Sequence, residues 1–143
     1  MTLIDDYLEI HQKQELEHGK NTCVLMQVGH FYEVYAVDNY KEKINHENIK
    51  RLSEIMNVQL TRKNKNKTEN NRGNPIMIGV NLLSVEKYIQ ILTNHNYTIV
   101  MVDQVTEPPE PERSITNIIS PGTNITYVSN GDSSNLLVVY IEE

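Results

Sequence analysis

The chain has 143 residues, a formal net charge of −6 at pH 7 and one cysteine, Cys23. This length predicts one domain with room for the start of a second, and the lone cysteine excludes a disulfide framework. No apolar stretch approaches the ~20 residues of a membrane span and no apolar signal core follows the N-terminus, so we expect an intracellular protein without a membrane partner. Taken alone, the negative charge argues against a free-standing nucleic-acid binder, because phosphate contacts supply most of the affinity of such proteins.

The first part of the chain predicts two helices around a β-hairpin. Thr2 and Asp5 resemble a capping box, and apolar residues at helical spacing follow them as far as Gly19. An apolar run and an alternating run then meet at a turn around Gly29. The predicted elements are a helix at 3–17, strands at 23–28 and 31–36, a helix at 38–56 and a strand at 58–61.

The second part predicts a loop, a helix and further strands. Ser84 is the expected N-cap of the helix, and the acidic, proline-rich residues 107–112 form an extended loop. In the strand at 113–119, alternation places Ile115 and Ile119 on one face. The predicted elements are a loop at 62–74, a strand at 76–80, a helix from 85, and strands at 97–105, 113–119 and 136–141. Together they predict an α/β or α+β fold, with a mixed sheet of about six strands flanked by three helices.

Basic residues crowd one segment of this acidic chain. Between residues 62 and 74 only Glu69 opposes five cations. The cations are Arg62, Lys63, Lys65, Lys67 and Arg72. Such a segment is either a solvated loop or a loop that faces phosphate groups, and the residue types leave both interpretations open.

The stretch from Gly29 to Glu33 is the most distinctive part of the sequence. Gly29 supplies the backbone freedom of a tight turn, and Phe31 is the only phenylalanine in the chain. On a strand, Phe31, Glu33 and Tyr35 point to one face, while Tyr32 points to the other. A carboxylate beside the only phenylalanine is unfavourable in a core, so this face is a candidate contact surface. The alternative is a core phenylalanine with a carboxylate at the rim.

No catalytic constellation is present in the sequence. There is no Gly-x-x-x-x-Gly-Lys-Ser/Thr phosphate loop, no His-Glu-x-x-His and no Gly-x-Ser-x-Gly. The five histidines are scattered, and His30 and Glu33 fall on opposite faces of a strand, which disfavours a shared metal ion. We therefore expect this chain to have no catalytic activity of its own and no metal-binding site.

Residues 28–35, Val-Gly-His-Phe-Tyr-Glu-Val-Tyr, resemble the Gly-x-Phe-Tyr-Glu motif of the mismatch-recognition domain of the MutS family of DNA mismatch repair proteins. Six further segments resemble that family in the same order and at similar spacing. They are Tyr7-Leu8-Glu9-Ile10, Leu60-Thr61-Arg62-Lys63, Pro75-Ile76-Met77-Ile78-Gly79-Val80, Val85-Glu86-Lys87-Tyr88-Ile89, Asp103-Gln104-Val105 and Ser120-Pro121-Gly122-Thr123. One departure is Val80-Asn81-Leu82-Leu83, where the family has Ile-Pro-Tyr-His.

The resemblance implies a domain plan. Residues 1–130 would be the mismatch-recognition domain, and residues 131–143 a linker with the first strand of the following connector domain. The full-length protein would be an ATPase that binds ATP and Mg²⁺ elsewhere, forms a dimer and works with a MutL-type protein. No cofactor is implied for this fragment, and its ligand would be double-stranded DNA with mismatches or small loops.

The resemblance also implies site residues. Phe31 would be an aromatic wedge at a mispaired or unpaired base, with Glu33 beside it and Gly29 and Tyr32 completing the motif. Arg62 and Lys63, with weaker support Lys65 and Lys67, would contact phosphates. Two other readings remain: a protein-interaction domain without DNA contact, in which Phe31 is buried, and a small nuclease, for which clustered carboxylates or histidines are lacking.

Overall fold

A computed structural model describes residues 2–122 of the chain. The predicted strand at 136–141 and the predicted domain boundary at 130 lie outside the described residues. The helices are α1 (Leu3–His18), α2 (His46–Met56) and α3 (Val85–Asn94), with a 3₁₀ turn at Leu82–Ser84. The strands are β1 (Thr22–Val28), β2 (Phe31–Asp38), β3 (Lys43–Ile44), β4 (Thr61–Arg62), β5 (Ile76–Asn81), β6 (Thr98–Gln104) and β7 (Arg113–Ile119). No helix among these residues is long and apolar enough to cross a membrane.

The strands form one mixed sheet in the order β4-β5-β2-β1-β6-β7, with the short β3 paired to β2. Only β1 and β6 run parallel. Helix α1 packs on one face, where the Tyr7 hydroxyl donates to the Val24 carbonyl (2.7 Å) and the Tyr7 ring meets the edge of Tyr35. Helices α2 and α3 pack against each other and the opposite face. The α+β fold and the mixed sheet flanked by three helices are thus confirmed.

Helix α1 follows the sequence prediction closely. The Thr2 hydroxyl accepts from the Asp5 amide (3.1 Å) and the Asp5 carboxylate accepts from the Thr2 amide (3.1 Å), so the capping box is complete. Gly19, at φ +98°, ends the helix after His18. The predicted helix at 3–17 is confirmed, one residue longer at its C-terminus.

The second helix is shorter than predicted. It begins at His46, because residues 38–45 form the β2–β3 hairpin and Asn45 adopts a left-handed φ of +62°. Asn45 is buried, and its side-chain amide donates to the Tyr35 carbonyl (2.9 Å). The prediction of a helix from residue 38 is therefore wrong, since this side-chain contact holds a turn where the apolar spacing alone indicated helix.

The predicted strand at 58–61 is also displaced. Residues 58–60 lie outside the sheet, and only Thr61 and Arg62 pair, opposite Met77 and Ile76. At the third helix, Ser84 occupies the predicted N-cap position, but a 3₁₀ turn leads into the helix there and no side-chain capping hydrogen bond forms.

A β-bulge changes the faces of β7. Ile115 pairs with Val102 and Ile118 with Val100, while Ile119 pairs with Ile99. Neighbouring Val100 and Val102 share one face and Ile99 belongs to the other, so the bulge places Ile115 and Ile119 on opposite faces. The prediction that they share a face is wrong because strict alternation does not survive an inserted residue.

Arg72 ties three separate segments together. Its guanidinium donates to the Asp5 carboxylate at the start of α1 (2.9 Å) and to both oxygens of Glu42 in the β2–β3 loop (2.9 and 3.0 Å). The hydrogen bond from Arg72 lowers the pKa of Asp5 from 3.8 to about 2. Arg72 therefore belongs to an internal ion-pair network and is not a free cation of the basic segment.

Replacing Arg72 by methionine should lower the melting temperature at pH 7 by a few degrees, because two carboxylates lose a shared and well-aligned partner. A depressed carboxylate pKa stabilises the fold above the unfolded-state pKa, and this contribution is lost as the pH falls through the folded-state value. The difference in melting temperature between the wild type and Arg72→Met should therefore shrink between about pH 5 and about pH 2. Thermal unfolding followed by circular dichroism measures it.

The matched control is Lys13→Met. Lys13 is 72% exposed and its ammonium lies 3.5 Å from Glu9, an ordinary surface pair along a helix. This variant should melt with the wild type at every pH. An Arg72→Met difference that stays constant with pH would contradict the role of the Asp5 carboxylate.

Candidate nucleic-acid interface

A tight hairpin turn presents Phe31 to solvent. Strand β1 ends at Val28, Gly29 adopts φ +60°, and β2 begins at Phe31, which pairs directly with Val28. A positive φ favours glycine, so Gly29 is required by the backbone of the turn. The Phe31 side chain is 46% exposed although its strand continues into the core. The structure therefore does not bury the only phenylalanine of the chain.

Main-chain and side-chain hydrogen bonds hold this turn from both sides. The Leu82 amide donates to the His30 carbonyl (3.0 Å). On the other side, Arg113 Nε donates to the Gln27 carbonyl (2.7 Å), and the Gln27 side chain accepts from the Gln104 amide (2.9 Å). The turn that carries Phe31 is thus held by hydrogen bonds from the 3₁₀ turn on one side and from β7 on the other.

The sequence analysis did not identify this support. Gln27, Gln104 and Arg113 are polar residues at the ends of three different strands, and no local pattern relates them. The only available signal was that Gln104 lies in the Asp-Gln-Val segment that resembles the family.

Glu33 lies on the same face of β2 as Phe31, as predicted. Its carboxylate accepts a hydrogen bond from the Tyr35 hydroxyl, two residues further along the strand. Burial and this hydrogen bond to Glu33 raise the pKa of Tyr35, so the hydroxyl remains a donor. Across the sheet Glu33 pairs with Gly79, where a Cβ would lie 4.0 Å from Glu33 Cγ. The missing side chain leaves the Glu33 flank open.

Of the two basic residues expected at the site, the structure brings only Lys63 to this face. The Lys63 ammonium lies 5.5 Å from the centre of the Tyr35 ring, a cation–π contact. Arg62, the last residue of β4 and the one before Lys63, pairs with Ile76 and faces the other way, and its Nε donates to the Lys67 carbonyl (2.8 Å). Lys65 and Lys67 are exposed in the loop that follows.

Tyr32 points away from Phe31. It is 9% exposed, and its hydroxyl donates to the Asp103 carboxylate on β6. The Tyr32 side chain therefore lies on the face of the sheet opposite to Phe31 and is not part of the contact surface around Phe31.

An acidic loop lies at the same end of the sheet as the Phe31 turn. Strands β1 and β6 run parallel, so their C-terminal ends coincide, and the loop of residues 105–112 leaves from that end. The Val105 amide donates to the Glu112 carbonyl (2.8 Å), which closes the loop. Glu107 and Glu110 are exposed in it.

Within residues 2–122, no three His, Cys, Asp or Glu side chains are grouped so that they could hold a metal ion. The fold and this surface define a small α+β recognition domain that presents one aromatic ring, with a carboxylate beside it, on a fixed turn. Residues 2–127 match the family model described as MutS domain I. The chain belongs to this family, the mismatch-recognition domain of MutS proteins.

Similar proteins agree with this assignment. The mutS homolog L359 of Acanthamoeba polyphaga mimivirus is 29% identical over 143 residues, which cover 99% of this chain and 12% of the viral protein. The DNA mismatch repair protein MutS of Streptococcus pneumoniae (strain Hungary19A-6) is 30% identical over 124 residues, 83% of this chain and 13% of that protein. The DNA mismatch repair protein HexA of S. pneumoniae serotype 4 gives the same values. The chain thus spans about an eighth of the length of these relatives.

Proposed function

We propose that this chain recognises mispaired or unpaired bases in double-stranded DNA by inserting the Phe31 ring at the weakened step. The observation that carries the proposal is the 46% exposed ring on a turn fixed from both sides. Membership of the MutS domain I family supports the same ligand.

The energetics favour an aromatic side chain in this role. Kinking a duplex costs a few kcal/mol of stacking per step, and a flat ring that stacks on the displaced base offsets part of this cost. A base that is already mispaired or unpaired costs less to unstack, so the DNA itself supplies the selectivity. The protein needs no hydrogen-bond readout of base sequence, which suits the detection of errors in any context.

Glu33 adds discrimination through its charge. As an anion near DNA it repels phosphates, and the minor groove of a matched duplex offers it no donor except the guanine amino group. A displaced base can supply an N–H donor to the carboxylate, or an acceptor if the carboxyl group is protonated. We propose that Glu33 penalises matched duplex and is tolerated only where a displaced base satisfies it.

The basic side chains near this surface have a supporting role. Lys63 lies on the face of Glu33 and Tyr35, where it can contact a phosphate and position the duplex. Arg62, Lys65 and Lys67 are further candidates for phosphate contacts, on the other face of β4 and in the exposed loop. Such contacts add salt dependence without sequence specificity.

Affinity and recognition are divided within the whole protein. The chain carries a net charge of −6 and spans about an eighth of its relatives, so we propose that most DNA affinity comes from elsewhere in the protein. We further propose a MutS-type ATPase that works intracellularly as a dimer with a MutL-type partner. ATP and Mg²⁺ would then bind outside this segment. Submicromolar binding of the chain to matched duplex at physiological salt would contradict this division.

The test is binding of the 143-residue chain to two duplexes that differ only at one site. One carries a single unpaired thymine with a 2-aminopurine beside it, and the other is fully matched. At low salt we expect a preference of about fivefold or more for the first duplex, with increased 2-aminopurine fluorescence as the base unstacks. Equal affinities without a fluorescence change would reject the proposal.

The protein-interaction reading required a buried Phe31 and a merely solvated basic loop. The exposed ring removes its first premise, and the contact of Lys63 with Tyr35 removes part of the second. Recognition of a DNA defect therefore accounts for more of this surface.

Neutralising the acidic loop should raise DNA affinity without improving discrimination. The variant Glu107→Gln/Glu110→Gln removes two exposed anions at the end of the sheet that carries Phe31. We expect both duplexes to bind about two- to fivefold more tightly at low salt, with the gain vanishing at high salt as screening increases. Fluorescence anisotropy titrations at two salt concentrations measure this.

The control is Glu17→Gln/Glu47→Gln, which has the same change of charge. Glu17 lies near the C-terminus of α1 and Glu47 near the start of α2, both exposed and at the opposite end of the sheet. If both double variants raise affinity equally, net charge is responsible and the position of the acidic loop is irrelevant.

A further inference from the structure

Leu83 is the most exposed large apolar side chain among residues 2–122, at 95% of its accessible surface. It lies in the 3₁₀ turn that follows β5, and β5 ends beside Phe31, where Asn81 pairs with that residue. Leu83 is therefore only two residues beyond the direct cross-strand partner of the proposed wedge. An apolar side chain this exposed at such a place calls for an external contact.

Hydrogen bonds fix the backbone at Leu83, although the Leu83 side chain is exposed to solvent. The Leu83 amide donates to the Asn81 side-chain oxygen (2.8 Å), and the Leu82 amide donates to the His30 carbonyl (3.0 Å). The second bond joins the 3₁₀ turn directly to the turn that carries Phe31. The two exposed apolar residues are thus joined through one hydrogen-bonded backbone framework, a few residues apart along it.

We propose that Leu83 is a second apolar contact to DNA, packing against the sugars of the minor groove beside the step that Phe31 enters. This inference rests on the proposed function. Proteins that kink DNA from the minor groove commonly use leucine as well as phenylalanine against unstacked steps. Leucine has no hydrogen-bonding side-chain atom, so the contact is one of shape and apolar area rather than hydrogen bonding.

The contact should favour kinked over straight DNA. A kink toward the major groove opens the minor groove at the unstacked step and exposes apolar sugar surface there. A straight matched duplex keeps that surface inside a narrow groove. Leu83 therefore adds to the affinity for the defective duplex and little to the affinity for the matched one.

The test is the variant Leu83→Asn, with Leu16→Asn as a matched control. Leu16 is 90% exposed and lies in the last turn of α1, at the end of the sheet remote from Phe31. Neither side chain is buried, so both variants should melt with the wild type. We expect Leu83→Asn to weaken binding to the unpaired-thymine duplex by about three- to tenfold, with Leu16→Asn unchanged and Leu83→Met close to the wild type.

Other outcomes separate this inference from the proposed function. If the wild type prefers the defective duplex and Leu83→Asn binds it like Leu16→Asn, Leu83 is not a DNA contact although the proposed function stands. An equal loss on both duplexes would overturn the preference for kinked DNA. If sedimentation shows that Leu83→Asn dissociates a dimer without changing DNA binding, Leu83 belongs to a contact between copies and the inference is wrong. A wild type without any preference would reject the proposed function itself.

Discussion

Replacing Phe31 by alanine is expected to abolish the preference for a mismatched or unpaired base. Stacking of one base on an aromatic ring is worth about 1–3 kcal/mol, so the affinity for the defective duplex should fall by about 5- to 150-fold. The affinity for matched duplex should change little, because Phe31 cannot enter an intact stack at the same cost. Fluorescence anisotropy on both duplexes, with 2-aminopurine emission as the direct readout of unstacking, measures the effect.

The control for Phe31→Ala is Tyr40→Ala. Tyr40 is an exposed aromatic residue, at 90%, in the β2–β3 loop, which lies at the other end of β2. Both variants lose one exposed ring, and both should keep the fold because neither ring is fully buried. If Phe31→Ala retained the fluorescence increase, some other group would unstack the base and the wedge assignment would fail. If both variants lost it equally, the loss would reflect general exposed aromatic surface.

The sequence could place Phe31 and Glu33 on one face because a strand repeats every two residues. The turn at Gly29 could also be predicted from the sequence. Glycine readily adopts the positive φ that this turn requires. Local periodicity and turn chemistry thus reached the hairpin and the faces of its second strand. The membership of a known family extended this to the whole fold.

Side chains that act across long sequence separations escaped prediction. Arg72 was one cation of a basic segment until the structure paired it with Asp5, 67 residues earlier. Asn45, ten residues after Tyr35, bonds to the Tyr35 carbonyl in a turn where the pattern predicted helix, and α2 begins only at His46. Neither contact leaves a periodic trace, because each depends on segments that only the folded sheet brings together.

The bulge in β7 marks a second limit. One inserted residue reverses the face of every later residue on the strand. Strict alternation therefore placed Ile115 and Ile119 on one face, whereas the bulge puts them on opposite faces. The hydrogen bonds of Gln27, Gln104 and Arg113 that support the Phe31 turn could not be predicted either. These residues lie on β1, β6 and β7, and only the order of strands in the sheet makes them neighbours.

Replacing Glu33 by glutamine should raise the affinity for matched duplex. The substitution removes one negative charge next to the wedge, while the glutamine oxygen can still accept from the Tyr35 hydroxyl and keep the local geometry. A unit charge near a phosphate in a partly solvated interface is worth about 1 kcal/mol or more, so we expect about a fivefold gain on matched DNA. The gain on the defective duplex should be smaller, because there the variant loses a carboxylate that a displaced base could satisfy. Discrimination should therefore fall even as total affinity rises.

This loss of discrimination separates Glu33 from the other acidic groups near the turn. Neutralising Glu107 and Glu110 should strengthen binding to both duplexes by the same factor, since these residues act on the phosphates at long range. Glu33→Gln should instead change the ratio of the two affinities, because Glu33 shares its strand face with Phe31. Titrations of both variants on both duplexes at two salt concentrations provide the comparison. Unchanged affinity of Glu33→Gln for both duplexes would contradict the role proposed for the Glu33 charge. An equal gain on both would mean that Glu33 acts only as a general surface anion and does not discriminate.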